Sequence, residues 1–140
     1  MKPKVFVSFD YENDKHYKYL LNALSANPKF DFEFNDHSSG EINSNDISRV
    51  KAALTRKINS ATHTLVIIGE YANSYHRDWK EIGYRNWINF EIAKSKEARN
   101  KLVAVKIDRS HNSPEEIIGA NASWAYAFDV DSIVRALENA

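Results

Sequence analysis

The sequence of 140 residues contains no cysteine, only four glycines and no excess of charge of either sign. Without cysteine, disulfide bonds, zinc sites built on thiolates and cysteine nucleophiles are all excluded. The absence of disulfides agrees with the reducing cytoplasm, where we expect the protein to be located. The 19 basic and 19 acidic residues give a formal net charge of zero. The basic excess typical of nucleic-acid binders is therefore missing, and no nucleic-acid partner is expected.

Long apolar runs are also missing, since no stretch approaches the roughly 20 apolar residues that span a bilayer. We therefore expect no membrane partner. The few glycines form neither a P-loop nor a G-x-G-x-x-G motif, which argues against a Walker or Rossmann cofactor site. Ser8 is not part of a G-x-S-x-G elbow. The five histidines do not pair at the spacing of metal ligands, so no metal site is predicted.

Runs rich in β-branched and aromatic residues predict five strands. The predicted strands are Val5–Phe9, Phe30–Phe34, Thr64–Gly69, Lys101–Ile107 and Trp124–Phe128. Apolar residues at helical spacing predict helices after the strands. The predicted helices are Asp14–Ala26, a segment around Ile47–Ile58 capped by Asn45 or Asp46, Asn86–Glu97 and Asp129–Glu138.

The alternation of strands and helices predicts an α/β fold with three layers, flavodoxin-like, around a central and mainly parallel five-stranded sheet. The length is that of one domain, which we expect to span residues 1–140. In such sheets, ligands bind beyond the carboxyl ends of the strands. Three segments leave those ends, namely Phe9–Asp14, Asn35–Asp46 and Gly69–Arg85. The second is polar and about a dozen residues long, and connections of that length are often functional.

Several motifs, taken in order, resemble TIR and TIR-like domains. The segment VFVSFDYEND, which begins at Val5, is similar to the strand and polar loop that open those domains. The Asn35–Asp46 loop resembles their BB loop. Val66–Gly69, followed by Trp87 and Glu91, resembles their third strand and their W-x-x-x-E helix, and the next strand, KLVAVKI, is also similar. The resemblance is nearest to the bacterial TIR-like domains of antiphage systems such as Thoeris (ThsB-like). Two features depart from the family pattern: a longer loop before Trp87 and the lack of a glycine-rich box in the BB-like loop.

The resemblance implies a TIR-like enzyme that processes NAD in antiphage defence. The activity is that of an NAD glycohydrolase or of an ADP-ribosyl cyclase that makes a cyclic ADP-ribose signal, and the residues leave this choice open. Glu91 is, by resemblance, the catalytic glutamate that contacts the ribose. NAD is then a substrate and no cofactor is expected. The family also implies self-association through TIR–TIR contacts, which complete the active site, and allows a separate effector that reads the product.

The chemistry of NAD explains why one carboxylate is enough. Nicotinamide is already a cationic leaving group, so it needs no protonation, and the ribosyl group passes through an oxocarbenium-like state that a carboxylate stabilises. An aromatic or apolar shelf is suited to hold the nicotinamide ring. The predicted substrate-binding residues are Ser8, Phe9, Asp10, Tyr11, Asp36 and Trp87.

Each of these residues also has a purely structural interpretation. Glutamates on amphipathic helices are usually solvated, and Phe9 and Trp87 are equally suited to packing. Asp10, Tyr11 and Asp14 are placed to cap the first helix. Tyr71, Tyr75, Trp79 and Tyr84, in the segment before the Trp87 helix, are typical of a lid or a protein contact surface.

Two other functions compete with the enzyme. A TIR-like adaptor would signal through homotypic protein contacts without catalysis. A phosphoacceptor receiver domain shares the architecture, but it needs an aspartate at the end of its third strand. Here that strand ends in Gly69-Glu70, so the acceptor is lacking.

Overall fold

A computed structural model describes residues 3–35 and 45–140 of the chain. The strands are β1 (Lys4–Ser8), β2 (Glu33–Asn35), β3 (His63–Ile68), β4 (Lys101–Lys106) and β5 (Ser123–Ala125). They form one sheet in the order β2-β1-β3-β4-β5, and every neighbouring pair is parallel. The predicted α/β class with a parallel five-stranded sheet is confirmed.

Helices cover both faces of the sheet. They are α1 (Tyr11–Leu24), α2 (Ile47–Asn59), α3 (Trp79–Ile82), α4 (Trp87–Glu97) and α5 (Val130–Asn139). Alternate residues of β3 point to opposite faces: Leu65 packs with α1 and α5, while Val66 packs with α4. All six residues of β3 are buried, as its continuous apolar run predicts for a central parallel strand.

Three predicted boundaries are wrong. The second strand is Glu33–Asn35 rather than Phe30–Phe34, because β1 begins to pair at Lys4, opposite Glu33. Phe30 instead closes a turn, in which its N–H donates to the carbonyl of Asn27 over 2.9 Å, and its side chain is buried. The last strand is also shorter, since Ser123–Ala125 replaces Trp124–Phe128. The first helix begins at Tyr11, three residues before the predicted start at Asp14.

The short helix α3 was not expected from the sequence. It lies in the long segment between β3 and α4, where one turn of helix ends at Gly83. Gly83 has a φ of 85°, a backbone conformation that glycine adopts without a steric penalty. Residues 36–44 of the BB-like loop, Asp36 among them, lie outside the described residues. Within residues 3–35 and 45–140, no helix combines the length and apolar character needed to cross a membrane.

Candidate active site

The predicted catalytic carboxylate is hydrogen-bonded to the end of the first strand. The hydroxyl of Ser8 donates to Oε1 of Glu91 over 2.7 Å, although 83 residues separate the two in the chain. Ser8 is the last residue of β1, and Glu91 lies in the second turn of α4. Both side chains are fully buried, with 0% exposure. The pair therefore lies at the edge of the sheet formed by the carboxyl ends of the strands, which we call the carboxyl edge.

The register of α4 explains the depth of Glu91. Asn86 caps the helix, since its side-chain oxygen accepts the N–H of Asn89 over 2.9 Å. Ile88 and Ile92, four residues apart, are both buried against the sheet, as predicted. Glu91 lies between them in the chain, on an adjoining part of the helix surface, and is buried as they are. The alternative of a solvated helix glutamate is therefore wrong.

An open cleft of about 740 Å³ lies at the carboxyl edge. Four predicted substrate-binding residues line it, namely Phe9, Asp10, Tyr11 and Trp87. Ser8 and Glu91 do not line it, but each is close along the chain to residues that do. The structure thus places the predicted residues that it describes in and directly beside one cleft.

Several of these side chains also have structural roles. Asp10 caps α1, since its Oδ1 accepts the N–H of Glu12 at 3.1 Å and of Asn13 at 3.3 Å. Phe9 is almost completely buried in the core between the sheet and α1. Trp87 is half-buried and meets the ring of Phe90 edge-on, with the ring centres 5.5 Å apart. Capping and packing therefore coexist with a position on the cleft.

The sequence did not show which residues of the segment after β3 line the cleft. Six consecutive or nearly consecutive residues do so and form what we call the outer wall: Tyr71, Ser74, Tyr75, His76, Arg77 and Asp78. The signal that points to them is position alone, because the segment from Gly69 leaves the carboxyl end of β3. The pattern of residue types does not reveal which side chains turn toward the cleft.

Three asparagines hold the outer wall in place. The side-chain amide of Asn86 donates to the carbonyls of Ala72 at 2.9 Å and Ser74 at 2.8 Å. The amide of Asn89, which is fully buried, donates to the side-chain oxygens of Asn73 at 3.2 Å and Asn86 at 3.0 Å. Buried amide networks of this kind order a loop because each unmade hydrogen bond is costly.

The amino ends of three helices meet at the cleft. Tyr11, Ile47 and Trp87, the first residues of α1, α2 and α4, all line it. Helix amino ends carry partial positive charge and favour anions. The carboxylates of Asp10 and Asp46 cap two of these ends and offset part of that charge.

The charged side chains on the cleft are mixed in sign. Among the described residues the carboxylates of Asp10, Glu12 and Asp78 line it, with the guanidinium of Arg77 on the outer wall. The Arg77 side chain is largely exposed and lies 3.7 Å from Asp78. The cleft is therefore suited to a ligand that carries both positive and negative groups.

A second buried carboxylate lies behind the cleft. Asp14 is 6% exposed, and its Oδ2 has no hydrogen-bond partner among the described residues. Burial raises the pKa of this carboxyl most, and the neighbouring carboxylate of Asp10 raises it further; His16 and His111 lower it by less, and Glu70 adds the smallest increase. Asp14 does not line the cleft. Within the described residues no three histidine, aspartate or glutamate side chains are placed to hold a metal ion.

Comparisons with known proteins agree with this fold. The chain is similar over 97% of its length to the solved structure of Clostridium botulinum CMP N-glycosidase, BcmB, of which 98% is covered, with a TM-score of 0.58 and 11% identity. That likeness shows a shared fold. No curated protein matches the sequence. Residues 6–112 match the model of the Thoeris protein ThsB, TIR-like domain, and this range includes the end of β1, the described residues that line the cleft, and α4. Because this match covers well over half of the chain, the protein belongs to the Thoeris ThsB TIR-like domain family.

Proposed function

We propose that the protein cleaves the N-glycosidic bond between nicotinamide and ribose in NAD, with Glu91 as the catalytic carboxylate. The observation that carries this proposal is the hydrogen bond of 2.7 Å between Ser8 and Glu91, beside a cleft of about 740 Å³ at the carboxyl edge. That volume lies within the usual range for a small-molecule site. The solved relative named above is a nucleotide N-glycosidase, which acts on the same type of bond.

The reaction needs little from the protein beyond charge and orientation. The bond from C1′ to the ring nitrogen breaks, and its electron pair leaves with nicotinamide, which departs neutral. The ribosyl cation that forms is stabilised by the Glu91 carboxylate. Attack by water then gives ADP-ribose and one proton. Attack by a group of the same molecule gives a cyclic ADP-ribose and the same proton.

The charges of the cleft suit this substrate. The cationic nicotinamide ring would lie on the side of Phe9, Asp10 and Tyr11, where an aromatic surface and a carboxylate occur together. The phosphates would lie toward Arg77 and the helix amino ends. In this arrangement Ser8 keeps the carboxylate of Glu91 directed at the ribose. The product would then serve as a signal in antiphage defence, read by a separate effector.

One observation favours a second candidate function, a non-catalytic adaptor that signals by homotypic contacts. Glu91 is 0% exposed in the single chain, so a substrate cannot reach its carboxylate until neighbouring side chains move. On the enzymatic proposal, self-association supplies that movement. We therefore expect turnover to rise with protein concentration more steeply than in direct proportion.

The test compares wild-type protein, Glu91→Gln and Glu97→Gln at high protein concentration with NAD. Glu97 is a matched control, because it lies on the same helix but is exposed and paired with Lys94 at 3.0 Å. Products are identified by mass. We expect nicotinamide release from the wild type and Glu97→Gln, and loss of at least about a hundredfold in Glu91→Gln. Full turnover by Glu91→Gln would refute the role of Glu91, and no release by any of the three would favour the adaptor.

A further inference from the structure

One aromatic ring on the outer wall is exposed and yet held firmly. Tyr75 lines the cleft and is 62% exposed. The guanidinium of Arg85 lies over one face of the ring, 4.4 Å from its centre. The ring of Trp79 meets it edge-on, with the centres 5.4 Å apart. The ring is therefore supported by two neighbours while most of its surface remains open.

The partners of Tyr75 are themselves fixed. Arg85 donates to the carbonyl of Asn73 at 3.3 Å and lies 3.4 Å from the carboxylate of Glu115. On the other side, the amide of Asn86 binds the carbonyl of Ser74 at 2.8 Å, directly before Tyr75. The N–H of His76, directly after it, donates to the carbonyl of Arg85 at 2.8 Å. The backbone is thus anchored on both sides of an exposed aromatic residue.

We propose that Tyr75 is a stacking platform for a second nucleobase, at the end of the substrate far from the bond that is broken. This inference rests on the function proposed for the cleft and deepens it. Aromatic residues from two segments line the cleft: Phe9 and Tyr11 after β1, with ring centres 6.1 Å apart, and Tyr75 in the outer wall after β3. A dinucleotide has a ring at each end, whereas a mononucleotide has only one.

The charge next to the platform supports a dinucleotide. Arg77, two residues after Tyr75, lines the same wall with its guanidinium largely exposed, within reach of a bridging phosphate. Stacking on an aromatic side chain accepts any base, because every base has a π-face. An oligonucleotide is disfavoured, because the chain has a net charge of zero and the described lining of the cleft carries three carboxylates. The platform therefore favours a ligand that is long enough to reach it and carries a second ring, and it does not favour a polyanion.

The test measures the binding of two ligands, each of which would occupy only one end of the cleft. ADP-ribose carries the adenine end without nicotinamide, and nicotinamide mononucleotide carries the other end without adenylate. Calorimetry is carried out on wild type, Tyr75→Ala and Tyr75→Phe. The matched control is Tyr126→Ala, because Tyr126 is 50% exposed under Arg109 at 4.6 Å but does not line the cleft. Thermal melting checks that each variant is folded.

We expect Tyr75→Ala to weaken ADP-ribose binding by about tenfold or more and to leave binding of the mononucleotide unchanged. Tyr75→Phe and Tyr126→Ala should bind both ligands as the wild type does. Equal affinity of wild type and Tyr75→Ala for ADP-ribose would overturn the platform, even if Glu91→Gln still abolishes NAD cleavage. A Tyr75-dependent affinity without any NAD cleavage would support the platform and reject the proposed reaction. Tighter binding of oligoadenylate than of ADP-ribose, or no binding of either small ligand, would overturn the assignment to a dinucleotide.

Discussion

The carboxyl group of Asp14 fills the space beside Gly69, and only a glycine at position 69 leaves room for it. Gly69 directly follows β3, and a Cβ built on it would lie within 2.6 Å of Oδ1, Oδ2 and Cγ of Asp14. The φ of Gly69 is not in the left-handed region, since Gly83 and Gly119 are the described glycines with positive φ. The glycine is therefore required for room and not for backbone conformation. The perturbation that tests this contact is Gly69→Ala.

The expected magnitude follows from two opposing effects. Ordinary van der Waals contact begins at about 3.4 Å, so the added methyl overlaps the carboxyl group by most of an ångström or more. Asp14 is buried and has little room to turn away, and overpacking of this kind costs about 1–3 kcal/mol. Where no clash exists, Gly→Ala at a compatible φ stabilises by about 0.4–1 kcal/mol through the unfolded chain. Removing the carboxyl group should therefore reverse the sign of the effect.

The assay is a double-mutant cycle by urea unfolding at neutral pH. It needs the wild type, Gly69→Ala, Asp14→Ala and the double variant. We expect Gly69→Ala to destabilise the wild type by about 2 kcal/mol. The same change should be neutral or slightly stabilising in the Asp14→Ala background. A Gly69→Ala effect of equal size and sign in both backgrounds would show that the carboxyl group is not what the methyl meets, and would refute the argument.

Three further predictions concern titration and the outer wall. Burial raises the pKa of Asp14 above the unfolded value of 3.8, so its charge destabilises the fold above the folded pKa. Asp14→Asn should be more stable than the wild type at pH 7, and urea unfolding at decreasing pH should show this advantage disappear as the pH falls through the folded pKa toward 3.8. The pKa shift of Asp129 has the opposite sign, because its hydrogen bonds with Ser132 lower its pKa. Asp129→Ala should lose about 1 kcal/mol of cap energy at pH 7, and this loss should shrink once the pH falls below 3.8 and through the folded pKa. Asn89→Ala removes the acceptor of the Glu116 N–H, at 3.0 Å, together with the anchor of the wall. It should destabilise the fold by about 2 kcal/mol and increase hydrogen exchange in residues 71–78, and unchanged exchange there would contradict the anchoring role.

The sequence predicted the elements whose signals are local. The continuous apolar run of β3 and the start of α4, predicted at Asn86, were placed to within a residue. For α2 the sequence offered Asn45 or Asp46 as the cap, and the structure selects Asp46. The first helix begins three residues before its predicted start at Asp14, because Asp10 acts as its N-cap. A capping aspartate is a local signal, but the start of this helix was predicted from its apolar residues at helical spacing, which lie further along the chain.

The carboxyl edge could also be predicted, because topology alone brings the ends of parallel strands together. The orientation of the outer wall could not. It depends on hydrogen bonds from Asn86 to carbonyls 12 and 14 residues earlier in the chain. No periodic pattern records such contacts, so Tyr75 was predicted as part of a lid or contact surface and not as part of the cleft. Likewise, helical spacing places Glu91 beside Ile88 but does not reveal its depth, which is set together with Ser8 on a different element.

On the proposed function, the burial of Glu91 links its chemistry to activation by self-association. A carboxylate that stabilises a ribosyl cation acts most strongly where water is excluded, because opposite charges attract more in a medium of low dielectric constant. The same burial, 0% exposed in the single chain, keeps the group away from substrate. Ser8 holds Glu91 through a hydrogen bond, and Asn86, Trp87 and Ile88, at the start of the helix that carries Glu91, line the cleft. Any contact that shifts the outer wall through Asn86 and Asn89 therefore acts on the helix that carries the carboxylate. On the proposed function, we therefore expect substitutions that loosen the packing of α4 against the outer wall to change the activity as well.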